Sequence, residues 1–532
     1  MKEIIKDRIS RLDDINDNLL KTQCLDKDSL YYGSIIDFRT GYSEPARGVA
    51  LAHQFLAAYC HKYSKSYKSI LLLERSLLAI DYSLRRLHID NTYDLTSTNP
   101  HDPTSLGFSV KRIAPSFRML KSKIEKSKKP LQLEIDLYNK IIEFMTKASE
   151  GMVGNGFHTP NHRWVLGAGL ALCMNILDMP ELRDEIDKYL EEGIDCDEYG
   201  EYSERSVSIY NITINQCLIM MAKELKMPEL LEHVRRNLYM TTKYIEPDGT
   251  LFTLNSTRQD MGARTYPFNL FSIYLTMAYV DKNPEFAYMA KYIHNMASKS
   301  KYDIGDQGYY KTAIQEYQYM DYNIDYFNEI AEKELNFKEH DSFFPNSSIA
   351  RMRNFDTSMT LMANNQIGLK YQYKFLGIHL KVLGQNYIEF DQIEKTPSGY
   401  TVKGKDEFLD IKINATFLKD GAEIEIIGKS DFSYPCAIAL LFNQEGLIDS
   451  KDYFIHTEKG KSLIMKNDKM TYSHLPQFMP YSINIKTHLD STGQNEFSDI
   501  CLKKLLTGDK DAFSIYLTQE APFRRKIVFS NF

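Results

Sequence analysis

The chain carries two polar clusters, Gly-Phe-His-Thr-Pro-Asn-His-Arg-Trp at residues 156–164 and Glu-Tyr-Gly-Glu-Tyr-Ser-Glu-Arg-Ser-Val-Ser-Ile-Tyr-Asn at residues 198–211. Each cluster leads into an apolar run with helical spacing, over residues 165–177 and 209–225. A helix start exposes free backbone N–H groups and a partial positive charge, so polar residues there either cap the helix or face an anion. Capping needs only Ser, Thr, Asp or Asn. The additional amide, imidazole, guanidinium, carboxylate and phenol groups therefore predict a functional site.

These side chains suggest a division of chemical roles. Asn161 and His162 place an amide and an imidazole at adjacent positions, which suits them to neutralise a carboxylate through hydrogen bonds. A phenol can act as a base and then as an acid, and Tyr210 supplies one, but spacing alone does not distinguish it from the other tyrosines. Tyr202 is the alternative phenol, and His158 is the alternative imidazole.

The order of these residues resembles the heparinase II/III-like and alginate-lyase group of polysaccharide lyases. The resemblance rests on Asn161-His162, on Asp-x-x-Gly-x-Tyr-x-Glu at residues 197–204, and on Tyr210. It implies an Asn-His pair and a Tyr in the groove of a toroid of helical hairpins, followed by a β-sandwich. It implies cleavage of uronic-acid-containing glycans by β-elimination.

A second match lies upstream, and one departure stands in the main motif. Residues 93–101 with Gly107-Phe108 resemble a loop that precedes the active-site hairpins in such proteins. The resemblance runs from about Tyr93 to Asp260, with weaker likeness in the C-terminal part. The group usually has Gly after the Glu of the second motif, whereas this chain has Arg205. That departure concerns the substrate rather than the groove.

The resemblance and the residues together define a predicted site. In this group a His from the sandwich often reaches the groove, and His379 is the best match. Glu204 is expected to orient a neighbour, or alternatively to complement the helix dipole. Arg258 lies in a hydrogen-bond-rich loop and can bind a carboxylate or sulfate bidentately. The predicted catalytic residues are Asn161, His162, Tyr210 and His379. The predicted substrate contacts are Asn99, His101, His158, Arg163, Tyr202, Glu204, Arg205 and Arg258.

The trial reaction explains why these groups are needed. β-Elimination removes the proton on C5 of a uronate, which is very weakly acidic while the adjacent carboxylate keeps its charge. Donors and cations that neutralise the carboxylate stabilise the charge that develops in the transition state. Cations near a phenol also favour its deprotonated form, and Arg163, Arg205 and Arg258 are available for this.

Three functions remain open at this point. The first is a lyase acting on uronate-containing oligosaccharides. The second is a glycoside hydrolase on the same toroid, which would need paired carboxylates or a hydrating Asp where this chain offers Asn, His and Tyr. The third is a non-catalytic carbohydrate-binding homologue.

Composition limits the partners. The 532 residues are 43% hydrophobic and 26% charged, which is typical of a globular protein with two or three domains. The net charge of −6 gives no sign of a nucleic-acid binder. No run approaches the length of a membrane span, so we expect neither a nucleic-acid nor a membrane partner. The expected partner is an anionic uronate-containing oligosaccharide, and the oligomeric state is not indicated.

The cysteines and the N-terminus predict a cytoplasmic protein that requires no cofactor. The seven Cys form no CxxC pair, and the N-terminus has no apolar signal-peptide segment. His158 and His162 are four residues apart, but Pro160 between them disfavours a regular helical metal pair. We therefore expect no metal in the chemistry, while a structural divalent ion stays open.

The periodicity divides the chain into two domains. About twelve amphipathic helices are predicted in residues 1–340, separated by Pro, Gly or Asn breaks. Antiparallel helical hairpins of this number predict an (α/α)6 toroid, incomplete or complete, although an open solenoid has the same pattern. Residues 341–532 instead show short alternating strands and a hairpin signal at Asp420-Gly421. The prediction is an α+β multidomain chain with a C-terminal antiparallel β-sandwich.

Overall fold

A computed structural model of the chain describes residues 2–96, 98–156, 159–299, 332–384, 388–451, 453–465, 468–474, 481–491 and 509–532. The chain divides into two compact units. Unit 1 contains Met1–Thr241, Thr257–Asp260 and Thr265–Leu335, and unit 2 contains Thr242–Ser256, Met261–Arg264 and Asn336–Phe532. The N-terminal half is rich in helix, and the C-terminal part is rich in antiparallel strands.

Helices dominate the described residues up to 299. They are α1 (Lys2–Thr22), α2 (Ala46–Cys60), α3 (Ile70–Arg85), α4 (Pro103–Lys126), α5 (Gln132–Met152), α6 (Pro160–Leu177), α7 (Arg183–Glu191), α8 (Tyr210–Glu224), α9 (Leu230–Lys243), α10 (Phe271–Asp281) and α11 (Pro284–Lys299). Short 3-10 turns at Pro180–Leu182 and Pro267–Leu270 precede α7 and α10. A two-stranded hairpin, β1 (Tyr93–Leu95) and β2 (Asn99–Asp102), leads into α4.

The even-numbered helices pack as a row of neighbours in unit 1. α2 contacts α4, α4 contacts α6, α6 contacts α8, and α8 contacts α10. Consecutive helices pair beside this row, namely α2 with α3, α4 with α5, α6 with α7 and α10 with α11. α6 is apolar along most of its length and is buried from Trp164 to Cys173, as expected of a helix enclosed by other helices.

α1 joins the two ends of this row. Leu12 of α1 packs with Ala57 of α2, and the Arg8 guanidinium lies 4.1 Å from the centroid of the Phe271 ring at the start of α10. The contacts therefore run from α2 through α4, α6, α8 and α10, and return through α1.

Several predicted helix boundaries differ from the structure. α4 begins at Pro103 rather than Ser109, because the Asp102 side chain accepts the Ser105 N–H at 2.9 Å and Pro occupies the first turn. α8 begins at Tyr210, one residue after the start of the predicted run at 209. The helix predicted over 326–334 falls mostly outside the described residues, and residues 332–334 are not helical.

Unit 2 contains two large sheets. Their strands are β3 (Glu339–Phe344), β4 (Ile349–Asn354), β5 (Thr357–Met362), β6 (Leu369–Tyr373), β7 (Leu376–Leu383), β8 (Glu389–Thr396), β9 (Gly399–Lys405), β10 (Asp410–Leu418), β11 (Gly421–Lys429), β12 (Tyr434–Phe442), β13 (Leu447–Ser450), β14 (Phe454–His456), β15 (Ser462–Ile464), β16 (Lys469–His474), β17 (Tyr481–Ser491), β18 (Phe513–Ala521) and β19 (Phe523–Asn531). One sheet has the order β14-β13-β16-β17-β19-β11-β10-β9-β8, and the other has the order β15-β18-β12-β7-β6-β5-β4-β3.

The two sheets contribute to one hydrophobic core. Leu361, Ile378 and Leu440 from one sheet cluster with Ile413 and Ile424 from the other, and all five are fully buried. The described strand pairs are antiparallel except for β15 with β18, which are parallel. The predicted hairpin at Asp420-Gly421 is confirmed, because β10 and β11 pair with Leu418 opposite Gly421. The strand predicted over 347–363 is two strands, which turn at Phe355 with a φ of 49°.

Residues 242–256 belong to unit 2, although they fall within the range 1–340 that was predicted to be helical. A buried ion cluster around Glu246 ties them to the strands. Glu246 is fully buried, and its carboxylate pairs with Lys370 at 2.8 Å and with Arg351 at 3.4 Å. It also accepts a hydrogen bond from Ser358 Oγ at 2.6 Å. A buried carboxylate must be paired, so this segment is held by its partners in the strands.

In the described residues, no helix is long and apolar enough to cross a membrane.

Candidate active site

Asn161 and Glu204 form the interior side of the site. Pro160 is the first residue of α6, and Asn161 follows it, fully buried. Asn161 Nδ2 donates to Glu204 Oε1 at 2.7 Å across 43 residues of chain. Burial raises the pKa of Glu204, while the hydrogen bond from Asn161 and the charge of Arg258 lower it. Glu204 therefore orients a neighbour, and the neighbour is Asn161 rather than His162 or Arg205.

Arg258 connects this buried pair to Tyr210. Its Nε lies 3.4 Å from Glu204 Oε1, and its guanidinium lies 4.8 Å from the centroid of the Tyr210 ring. Interaction with Tyr210 is the largest of the effects that raise the pKa of Arg258. Gln259 Nε2 donates to the Tyr210 hydroxyl at 2.7 Å. The phenol thus has a cation over its ring and an amide donor on its oxygen.

The loop that carries Arg258 is fixed to the second polar cluster. The Thr257 N–H and Oγ1 donate to the Glu204 carbonyl oxygen at 3.2 and 3.0 Å. At the other end, Ser208 Oγ donates to the Asp260 carboxylate at 2.7 Å. Residues 257–260 are therefore positioned by backbone and side-chain bonds to residues just before α8. The sequence singled out this loop for its hydrogen-bonding capacity, but gave no role to Gln259.

His162 lies one residue beyond Asn161 and is half-buried. Burial lowers its pKa, and the positive charge of Arg258 lowers it further, while Asp102 acts in the opposite direction. The imidazole is therefore biased towards its neutral form beside a permanent cation. Asp102 was not predicted as part of the site. It also caps α4, where its carboxylate accepts the Ser105 N–H.

Arg205 occupies the position where the resembled group usually has Gly. Its φ is 50°, in the left-handed region. Gly adopts this conformation without the steric cost that a side chain brings. Arg205 is half-buried, and its predicted contact with substrate stays a prediction.

We expect Arg205→Gly to raise the free energy of unfolding by about 1 kcal/mol, since a non-Gly residue in this region costs about 1–2 kcal/mol. Arg86, an exposed arginine at the end of α3 with a φ of −97°, provides the matched control. Arg86→Gly should lower stability, because there Gly only increases the entropy of the unfolded chain. Thermal unfolding followed by circular dichroism compares the two, and a loss of stability in Arg205→Gly would contradict the strain.

Two predicted substrate contacts are corrected. Tyr202 is fully buried, and its hydroxyl donates to Asn215 Oδ1 at 2.8 Å, so it packs in the interior and does not replace Tyr210 as the candidate phenol. Arg163 is also buried, and it pairs with Glu192 at 3.0 Å on the side of α6 that faces α7. That ion pair lies within the packing of α6 against α7, so Arg163 stabilises this helix contact instead of facing a substrate.

The remaining predicted residues fall in different places. Asn99 and His101 lie on β2, where His101 Nδ1 contacts the Asp90 carboxylate at 2.7 Å and its ring stacks on His88 at 4.1 Å. His379 lies on β7 in unit 2, and its Nε2 is 3.2 Å from Asn443 Nδ2. Burial, then Lys370 and Lys381, lower the pKa of His379 to about 3.

His158 lies outside the described residues.

No group of three or more His, Cys, Asp or Glu side chains in the described ranges is arranged to hold a metal ion. Where the site is described, its groups are amide, imidazole, guanidinium, carboxylate and phenol.

Comparison with solved structures identifies the fold. A heparinase III gene product matches 98% of this chain and 84% of its own, with a TM-score of 0.59 and 9% sequence identity. The fold is that of polysaccharide lyases. A mutant of heparan sulfate lyase HepC from Pedobacter heparinus matches 98% of this chain and 83% of its own, with a TM-score of 0.53 and 11% identity. A mutant of the chondroitin AC lyase of Streptomyces coelicolor A3 matches 99% and 77%, with a TM-score of 0.52 and 9% identity. No protein-family model and no curated protein sequence matches the chain.

Proposed function

We propose that this protein is a lyase that cleaves uronic-acid-containing oligosaccharides by β-elimination. One observation carries the proposal: Asn161, Glu204, Arg258 and Tyr210 form a continuous set of contacts in unit 1, with a cation 4.8 Å from the phenol ring. Polysaccharide lyases of the same fold support it. We propose the same broad class of substrate, a uronate-containing glycan, as that of the chondroitin AC lyase, which has been solved in complex with chondroitin sulphate.

Arg258 and His162 are assigned to the substrate carboxylate. Arg258 is about one-third exposed and holds its charge at any ordinary pH, so it can pair with an anion from the solvent side. His162 adds an imidazole that is biased towards the neutral form and can donate one hydrogen bond. Together they stabilise the negative charge that grows on the carboxylate as C5 loses its proton.

Asn161 receives a positioning role in this scheme. It is fully buried, and its amide is bonded to Glu204, which in turn lies beside Arg258. A direct hydrogen bond from Asn161 to the substrate, which the resemblance implies, stays a prediction.

Tyr210 is assigned to move the proton. The deprotonated phenol takes the C5 proton, the C5 electron pair forms the C4–C5 double bond, and the C4–O bond breaks. The same phenol then returns the proton to the leaving oxygen. No water, metal or other reactant is consumed, so one side chain completes the proton balance.

The arrangement of the helices and sheets can be proposed in more detail. We propose that the helices of unit 1 form an (α/α)6 toroid that α1 completes, and that the sheets of unit 2 form a β-sandwich. Contacts that lead from α2 around to α10 and back through α1 support the toroid. A single core shared by both sheets supports the sandwich.

We also propose a cytoplasmic location. The six described cysteines are free thiols, which is typical of a reducing compartment. Small oligosaccharides would then be the substrates rather than intact polymers.

The function is tested by incubating the protein with fragments of hyaluronan, chondroitin, heparan, alginate and rhamnogalacturonan. β-Elimination leaves a C4–C5 double bond conjugated with the carboxylate, which absorbs in the ultraviolet. The proposal expects an increase in this absorbance with at least one fragment class. No increase with any of them, from protein shown to be folded by circular dichroism, would contradict it.

We expect Arg258→Gln to lower kcat/KM by about a hundredfold, the usual cost of losing one donor to the developing charge. Arg258→Lys should recover part of the loss, because it keeps the charge but not the two-point geometry. Arg183→Gln is the matched control, since Arg183 is a surface residue paired with Asp187 within α7. Equal activity of Arg258→Gln and Arg183→Gln would remove Arg258 from the site.

A further inference from the structure

A cavity of about 630 Å³ lies within unit 1, close to Tyr210 in the chain. Helices α1, α2, α4 and α8 contribute to its wall, and Ser208 and Ile209 complete it on the side of the candidate site. Ile209 of this wall directly precedes Tyr210, the proposed proton shuttle, so the Cα atoms of the two residues are about 3.8 Å apart. The volume falls in the range of about 300–1,000 Å³ that is typical of small-molecule sites.

Three cationic side chains line this cavity, namely Arg47, Lys111 and Arg112. Arg112 is solvent-exposed, yet burial is the first cause that lowers its pKa, followed by the charge of Arg47. A side chain that is both accessible and surrounded by protein points into a cavity. In the described part of the chain, Arg112 forms no ion pair and no hydrogen bond.

Two carboxylates lie near these cations, and each contacts other groups. Glu44 is the carboxylate in the wall, and it accepts hydrogen bonds from Thr96 Oγ1 at 2.5 Å and Thr96 N–H at 3.3 Å. Asp37 lies 3.9 Å from Arg47, at the limit of ion-pair distance, and also faces Arg39 at 3.6 Å. Both carboxylates keep their charge, but among the described residues neither forms an ion pair with Arg112.

Polar groups beside the cations match an oxygen-rich ligand. Lys111 Nζ is 3.3 Å from Gln216 Oε1, which also lines the cavity. Gln54 is in the wall as well, and its buried Oε1 accepts no hydrogen bond from the described residues. His53 is bonded to Ser116 at 3.1 Å, and burial with the charge of Arg112 lowers its pKa to about 3, so it adds no charge.

We propose that this cavity is an anion subsite that holds a second acidic group, a carboxylate or a sulfate, of the same oligosaccharide that places a uronate at Tyr210. The identity of the ligand rests on the proposed function, whereas the presence of an anion site rests on the cations alone. The Arg112 guanidinium, which has no ion-pair partner among the described residues, is repelled by the charge of Arg47. An anion between the two offsets that repulsion and accepts charge-assisted hydrogen bonds. The protein would therefore prefer oligosaccharides with more than one acidic group.

The test measures binding to the full chain with Tyr210→Phe, which is expected to slow turnover enough for binding to be measured. Calorimetry compares a hyaluronan tetrasaccharide, which carries carboxylates only, with a chondroitin sulfate tetrasaccharide, which carries both groups. Fully N-acetylated chitotetraose, which has no charged group, is the neutral ligand. Adding Arg112→Gln should weaken binding of at least one acidic probe by about tenfold or more, as expected for a lost bond to a charged group. Adding Arg183→Gln instead should leave it within about twofold.

The outcomes separate this proposal from the proposed function. A larger loss with chondroitin sulfate assigns the cavity to sulfate, and an equal loss with both probes assigns it to a carboxylate. A second case is a protein that forms no double-bond product while Arg112→Gln still weakens binding of an acidic probe. That result would contradict the proposed lyase activity and would support the anion subsite. Unchanged affinity on Arg112→Gln, an equal loss on Arg183→Gln, or no binding of either acidic probe would overturn the anion subsite.

Discussion

Tyr210→Phe is expected to lower turnover by about a thousandfold, within the range of roughly 10²–10⁴ for loss of a positioned proton-transfer group. The substitution removes one oxygen and keeps the ring beneath the Arg258 guanidinium. Its structural cost is the hydrogen bond from Gln259, so the free energy of unfolding should fall by no more than about 1–1.5 kcal/mol. Initial rates of double-bond formation and thermal unfolding measure the two effects.

Tyr239→Phe is the matched control for this change. Tyr239 is a part-exposed residue of α9. Its hydroxyl donates to Glu285 at 3.0 Å and accepts from Asn283 Nδ2 at 3.1 Å, so the same oxygen is lost together with two hydrogen bonds. Its turnover should stay within about twofold of the parent protein, because it lies outside the set of contacts that includes Tyr210. Equal losses of turnover in both variants would show that the Tyr210 effect is structural.

Glu246→Gln is expected to destabilise the β-rich unit by about 3–5 kcal/mol, the cost of removing one partner from a buried ion pair. The substitution leaves Lys370 and the almost fully buried Arg351 without their carboxylate. Burial raises the pKa of Glu246, but Lys370 and Arg351 together outweigh it and hold that pKa well below its usual range.

The stability that Glu246 contributes should depend on pH in a defined direction. A carboxyl whose pKa is depressed on folding contributes stability above its unfolded pKa of about 4.3, and loses it as the pH falls towards the folded value. The difference in stability between the parent protein and Glu246→Gln should therefore be largest near neutral pH and narrow below about pH 4. Urea unfolding at several pH values measures it.

Glu394→Gln is the control for this second prediction. Glu394 pairs with Lys403 at 2.8 Å, but both side chains are part-exposed, so its loss should change stability by less than about 0.5 kcal/mol. A Glu246→Gln variant as stable as Glu394→Gln would show that the buried cluster does not hold residues 242–256 in the β-rich unit.

Local patterns were enough to predict the class of structure. The change from helical to alternating periodicity separates helices from strands, and Asp420-Gly421 marks a tight hairpin because Gly tolerates its turn. Asp102 followed by Pro103 is also a local signal for a helix start, and giving it weight would have placed α4 correctly. The assignment of residues 242–256 depended on Arg351 and Lys370, which are more than 100 residues away, so no local pattern contained it.

The candidate site was predictable in its residue types but not in its partners. Asn161, Glu204 and Tyr210 stand out in sequence, but their connection depends on Arg258, which the fold brings 54 residues back to Glu204. Tyr202 and Tyr210 are equivalent as sequence features. Only the structure separates them, because Tyr202 turns into the interior and bonds to Asn215.

The fate of water distinguishes the three functions most directly. Each oligosaccharide of the fragment screen is incubated with the protein in water enriched in heavy oxygen, and the products are weighed by mass spectrometry. β-Elimination consumes no water. We therefore expect products that carry no heavy oxygen from the cleavage and whose masses sum to that of the substrate. Incorporation of one heavy oxygen per cleavage would instead identify a hydrolase and contradict the assignment of Tyr210 as a proton shuttle for elimination.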